Sequence, residues 1–139
     1  MNDLLENTKN NELFKFLGIS VETATKERVV LKMEVTPRVH QYMGIMNGGV
    51  SMYLSETATS IGAVLNVDLE KYAPVGIEIN GNHLRAVAKG VITIEAVPTY
   101  AGRTLQVWSI TITNDRGKLV CTSRCSILVR KGGAFVGKE

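Results

Sequence analysis

The chain has only two histidines, two cysteines, three prolines and one tryptophan among its 139 residues. Each scarcity removes a class of function. Cys121 and Cys125 stand four residues apart in a segment rich in β-branched residues, where a strand separates their Cα atoms by on the order of 13 Å. That is beyond disulfide reach. Without histidines at metal-ligand spacing, the pair argues against a metal site and reads as two buried apolar positions in a reducing compartment. No apolar run approaches the ~20 residues of a membrane span. Residues 1–11 carry Asp3, Glu6 and Lys9 with no long apolar stretch, unlike a secretory leader, so the expected compartment is the cytoplasm. An excess of one charge sign is also missing: the net charge is +3, and its basic residues are scattered. This argues against nucleic acid as a partner and leaves a few cations for a phosphorylated small ligand.

What is present is an ordinary globular composition, 45% hydrophobic and 21% charged, at a length that fits one domain spanning residues 1–139. Leu5, Phe14, Phe16 and Leu17 predict a short N-terminal helix ending at Gly18. Residues 19–24 and 28–35 predict a hairpin, which Pro37 ends, and three glycines punctuate the loop from His40 to Gly49. Val50, Leu54, Ile61 and Leu65 recur at helical spacing, so one helix of about four turns is expected, with Asn47 as its N-cap. Four strands follow, at 75–84, 91–100, 105–113 and 118–129, with a turn at Asn114–Gly117. The core is expected over about 19–130, with 131–139 a flexible tail. One long helix beside an antiparallel sheet buries its apolar stripe only if the sheet curls around it, so the fold class is α+β.

The stretch from His40 to Ser60 reads HQYMGIMNGGVSMYLSETATS. A glycine pair opens its helix and an acid follows two turns later. With VGIEINGNHLRA at 75–86 and YAGRTLQVWSITITNDRGKLVCTSRCSI at 100–127, the chain resembles the hotdog-fold acyl-CoA thioesterases, in particular the 4-hydroxybenzoyl-CoA and 1,4-dihydroxy-2-naphthoyl-CoA branch with a helix glutamate. Several spaced motifs carry more weight than one. The resemblance implies a hotdog fold, an antiparallel sheet wrapped around one central helix, and hydrolysis of an aromatic or medium-sized acyl-CoA. It implies a homo-oligomer, a tetramer built from dimers with sites shared across the dimer interface. Coenzyme A would be part of the substrate, with no separate cofactor and no metal.

The residues fit that chemistry independently. Thioester hydrolysis needs a donor for the carbonyl oxygen as it turns negative, and a base or nucleophile for the carbonyl carbon. The backbone N–H of Gly48, at a helix N-terminus, suits the first task. Glu56 suits the second, as general base or nucleophile, with Met52 and Ser60 one turn before and after it on the same face. Ser60 is placed to hydrogen-bond the carboxylate. The resemblance adds Gln41 as a polar group orienting substrate or water, and a substrate- and CoA-binding set of Gly76, His83, Leu84, Arg85, Ala86, Tyr100, Ala101, Gly102, Arg103, Thr104 and Leu105. By the two-residue strand period His83 and Arg85 share a face. A guanidinium such as Arg103 suits phosphate.

Asn47 stands where the family usually has histidine. An amide takes up no proton but caps a helix well. The alternative reading is therefore a non-catalytic acyl-CoA-binding or regulatory protein on the same fold, and a dehydratase is disfavoured because its α-proton chemistry wants that histidine. Taken alone, Glu56 is a solvated helix acid, His83 a packed imidazole, and Arg85 and Arg103 surface cations.

Overall fold

The computed structural model describes residues 2–133. The expected N-terminal helix is two helices, α1 (Asn2–Asn10) and α2 (Glu12–Leu17). Asn11 divides them because its side chain accepts from the N–H groups of Leu13 and Phe14 at 3.1 and 3.2 Å, capping a new helix. Gly18, at φ 67°, closes α2 in the left-handed conformation.

Six strands form one antiparallel sheet: β1 (Ser20–Ala24), β2 (Val29–Val35), β3 (Tyr72–His83), β4 (Gly90–Ala101), β5 (Leu105–Thr113) and β6 (Leu119–Lys131). Their order is β1-β2-β4-β5-β6-β3, so β1 and β3 are the edges. The long helix, α3 (Gly48–Leu65), touches β2, β3, β4, β5 and β6. Five strands at about 4.8 Å spacing outreach a helix about 10 Å across, so those contacts require the sheet to wrap around it. The α+β architecture, an antiparallel sheet around a long central helix, is the one expected.

Several boundaries differ from the sequence expectation for physical reasons. The long helix begins at Gly48, two residues before the apolar stripe's Val50, as its expected N-cap Asn47 requires. Strand β3 begins at Tyr72 rather than Val75 and holds Pro74 within it. An edge strand tolerates the missing N–H because one side of its ladder is unpaired. Pro98 sits in β4 beyond the last residue that pairs with β2, where the same argument holds. The segment expected to be a loose tail starts inside β6, which runs to Lys131; residues 134–139 lie outside the described residues.

The core lies between the sheet's inner face and α3. Leu31, Met33, Ile92, Ile94, Ile110 and Ile112 pack against Leu54, Ala58 and Ile61. Trp108 belongs to this core: it is fully buried, donates from Nε1 to the buried Gln106 Oε1 at 2.9 Å, and lies so close to Gly62 that a Cβ there would overlap the ring. Cys121 and Cys125 are buried free thiols on β6. Burial pushes the Cys125 thiol up to about 11, with the negative charge of Glu56 as the next cause.

Candidate active site

The loop before α3 is held from both sides. The N–H of Met46 donates to Val87 O and that of Asn47 to Val39 O, each at 2.8 Å, while His40 Nε2 is 2.8 Å from Ala88 O. Gln41 turns this loop: its N–H bonds to Ile45 O, its carbonyl accepts from Gly44 at φ 76°, and its side-chain Oε1 accepts from Met43 N–H. With Oε1 so engaged, the Nε2 amide is what Gln41 can offer a ligand. It is a donor.

Asn47 accounts for the first turn of α3. Its Oδ1 accepts from Gly49 N–H at 2.8 Å and its backbone carbonyl from Val50 N–H at 3.0 Å. No acceptor among the described residues meets the N–H of Gly48. That amide is an open donor at the positive end of an 18-residue helix. Asn47 thus serves as a cap that leaves Gly48 free.

His83, the last residue of β3, stands directly over Gly48: a Cβ built there would lie 2.7 Å from His83 Nε2 and 3.0 Å from Cε1. The glycine is needed for the imidazole to rest on the helix start. Gln41, Gly48, His83, Leu84, Arg85 and Ala86 line one cavity of about 360 Å³, joined by Met46 and by Ile45, Ser51, Val87 and Val120, the last four of which the sequence reading did not single out. Arg85 lies beyond the end of β3, so the strand period does not align it with His83. A turn does instead, with the N–H groups of Leu84 and Arg85 both donating to Val120 O at 2.8 and 3.2 Å. Its exposed guanidinium has no carboxylate partner among the described residues.

Glu56 and Ser60 line a second, mostly apolar cavity of about 470 Å³, walled by Tyr53, Thr57, Ile61, Val64 and Leu65 of α3 and closed by Leu5 and Thr8 of α1. The helix row was legible, but the α1 wall had no sequence signal. The expected hydrogen bond from Ser60 to Glu56 is absent: both residues line the cavity without bonding, and Ser60 is exposed. Gly76, on β3, faces the Glu56 carboxylate.

The remaining predicted residues, Tyr100 to Leu105, form the β4–β5 hairpin tip, outside both cavities. The Tyr100 side chain covers Gly102, whose N–H donates to Leu105 O at 2.8 Å, and Arg103 is exposed without an acidic partner among the described residues. Ladder register places this tip level with Gly76: Leu105 pairs with Leu128, which pairs with Val75. Within one chain the predicted set is therefore split. Gly48 and Glu56 are eight residues apart on α3, a rise of about 12 Å. One carbonyl cannot sit within hydrogen-bond reach of both.

Among the described residues no group of three or more His, Cys, Asp and Glu side chains is arranged to hold a metal ion. Among the same residues no helix is long and apolar enough to cross a membrane.

Comparison with known proteins bears on what this arrangement does. The family model described as Thioesterase superfamily matches residues 43–121, from the Gln41 loop through α3 and β3 into β6. A 1,4-dihydroxy-2-naphthoyl-CoA hydrolase of Listeria monocytogenes is 42% identical over 115 residues, covering 83% of this chain and 93% of its own. A proofreading thioesterase of Cronobacter turicensis is 34% identical over 127 residues, 91% of this chain and 92% of its own. The crystal structure of a mutant thioesterase from Pseudomonas aeruginosa superposes with a TM-score of 0.88 at 35% identity, over 94% of both chains.

Proposed function

The chain belongs to the thioesterase superfamily and is a thioester hydrolase, and from that premise we propose that it hydrolyses an aromatic acyl-CoA to the free acid and coenzyme A. The observation that carries the reading is the unpartnered Gly48 N–H at the start of α3, beside the Gln41 amide and His83. These donors suit a thioester carbonyl whose oxygen becomes negative as the carbon turns tetrahedral. Glu56 takes the proton of the attacking water. The new C–O bond forms, the C–S bond breaks, and the CoA thiolate leaves to be protonated. If Glu56 attacks directly, a mixed anhydride forms first and water then cleaves it. Labelled water in a single turnover separates the direct route from an anhydride that water cleaves at the Glu56 carbonyl, since that cleavage alone leaves the label in Glu56.

Support for an aromatic acyl group comes from the naphthoyl-CoA hydrolase at 42% identity and from the apolar cavity of about 470 Å³ beside Glu56. Arg85 and Arg103 are the exposed cations available for CoA phosphates. The reading calls for no metal or redox cofactor. Asn47 favours catalysis over the non-catalytic alternative, because it caps the helix and leaves the Gly48 donor open.

The rise of about 12 Å along α3 between Gly48 and Glu56 calls for a second copy. Strand β3 is a 12-residue edge that exposes Ile77, and such an edge invites pairing. Antiparallel pairing of two β3 strands about a two-fold axis near Ile79 and Asn80 would set His83 of a second copy opposite Gly76. Its Gly48 and Gln41 would then approach Glu56. A tetramer of two such dimers, in the cytoplasm, completes the proposal.

The test is thiol release from a panel of aryl- and alkyl-CoAs. Glu56→Ala and Gln41→Ala should each be nearly inactive. Mixed, unfolded and refolded together, they should regain about a quarter of wild-type activity, because half the dimers pair unlike chains and each of those holds one intact site. Full activity of Glu56→Ala would end the assignment of Glu56, and no recovery on mixing would end the shared site.

A further inference from the structure

Glu56 makes no hydrogen bond and no ion pair among the described residues. Its direction is set by shape. Gly76 pairs with Ile127, which is fully buried, and residues paired across an antiparallel ladder point to the same face. The side-chain position of Gly76 therefore faces α3. A Cβ built there would overlap Glu56 Oε1 and lie 3.4 Å from Cδ and 3.7 Å from Cγ; the three nearest atoms all belong to Glu56. Immediately afterwards β3 shifts register, with Ile77 the extra residue between Gly76 and Glu78. Bulges re-aim positions beside functional sites, and a glycine inside a strand otherwise only weakens it.

We propose that Gly76 is a positioning residue for Glu56: the space left by its absent side chain seats the carboxylate that the reading above makes catalytic, and the adjoining bulge sets where that seat lies. The inference rests on that reading. A Cβ at this position pushes the carboxylate about 1 Å off its site, and displacement on that scale costs up to about 100-fold in rate. The displaced group is the free end of a flexible side chain, so the fold bears the change easily.

Gly76→Ala, Glu56→Ala and the double variant, assayed as the full chain with benzoyl-CoA, test it. Gly76→Ala should lower kcat about 10- to 100-fold with KM within about threefold of wild type. Its melting temperature should be unchanged or higher, because alanine costs a strand less than glycine. In the Glu56→Ala background the same substitution should change the residual rate less than about twofold, the non-additivity expected of two residues acting as one. Wild-type kcat in Gly76→Ala overturns the inference, as does an equal loss in both backgrounds. If Gly76→Ala melts early, the double variant decides: restored melting supports the seat, and equally early melting overturns it. Wild-type turnover by Glu56→Ala alone refutes the assignment of Glu56, and this inference with it.

Discussion

Replacing Gly48 with alanine separates the catalytic duty proposed for this residue from its structural one. The added Cβ would stand 2.7 Å from His83 Nε2, 3.0 Å from Cε1 and 3.2 Å from Cδ2, against the 3.4–4 Å of ordinary contact. The imidazole must retreat by about 1 Å, a misplacement that costs on the order of 100-fold when it disturbs a reacting group. The methyl group also stands where a thioester carbonyl must approach the open N–H, and loss of one such donor costs about 100- to 1,000-fold in kcat. Stability moves little by comparison. Alanine gains up to about 1 kcal/mol over glycine inside a helix, less at its first residue, and crowding of the exposed His83 ring offsets it. Thiol release from benzoyl-CoA should therefore fall at least about 100-fold in kcat/KM, with melting within a few degrees of wild type. In Gly48→Ala/His83→Ala the clash with the ring is gone but the methyl group remains over the amide, so turnover should stay low. Wild-type kcat/KM in Gly48→Ala would refute the role of this amide.

Asn47→Ala removes the acceptor for Gly49 N–H and should cost about 1 kcal/mol in urea unfolding, while Asn47→Asp keeps the cap and the stability; equal loss in both would deny the cap. Gly62→Ala meets the rigid, fully buried Trp108 ring rather than a flexible side chain, so it should destabilise by about 1–3 kcal/mol, read as a lower urea midpoint at constant slope. The Cys125 thiol, raised by burial from 9.0 to about 11, makes stability depend on alkaline pH. Its contribution is intact below pH 9.0 and falls as pH rises toward 11, because the unfolded thiol ionises while the folded one keeps its proton. Subtracting the pH profile of Cys125→Ala from that of wild type should isolate this fall, and a flat difference would contradict the shift.

Much of this molecule is written locally. The helix from Val50 to Leu65 follows from apolar spacing, its cap from Asn47, the β5–β6 turn from Asn114 and Gly117, and the strands from β-branched runs, because each depends on residues a few positions apart. The match of the Gly48–Glu56 stretch to its family was equally visible. One error fell where a distant partner decides, since Pro74 is allowed in β3 only because that strand is an edge; the other was local, a cap by which Asn11 holds the N–H groups of Leu13 and Phe14 and splits the first helix.

Sequence by itself determined the segment that the proposed chemistry uses, since a helix N-terminus and a carboxylate eight residues on are properties of one continuous segment. Tertiary structure alone decided how they stand. It rested His83 on Gly48, set Gly76 against the Glu56 carboxylate and gave Glu56 a wall from α1. The reason is physical: ladder register, a bulge and the packing of α3 across five strands join residues far apart in the chain, and no local pattern encodes those distances.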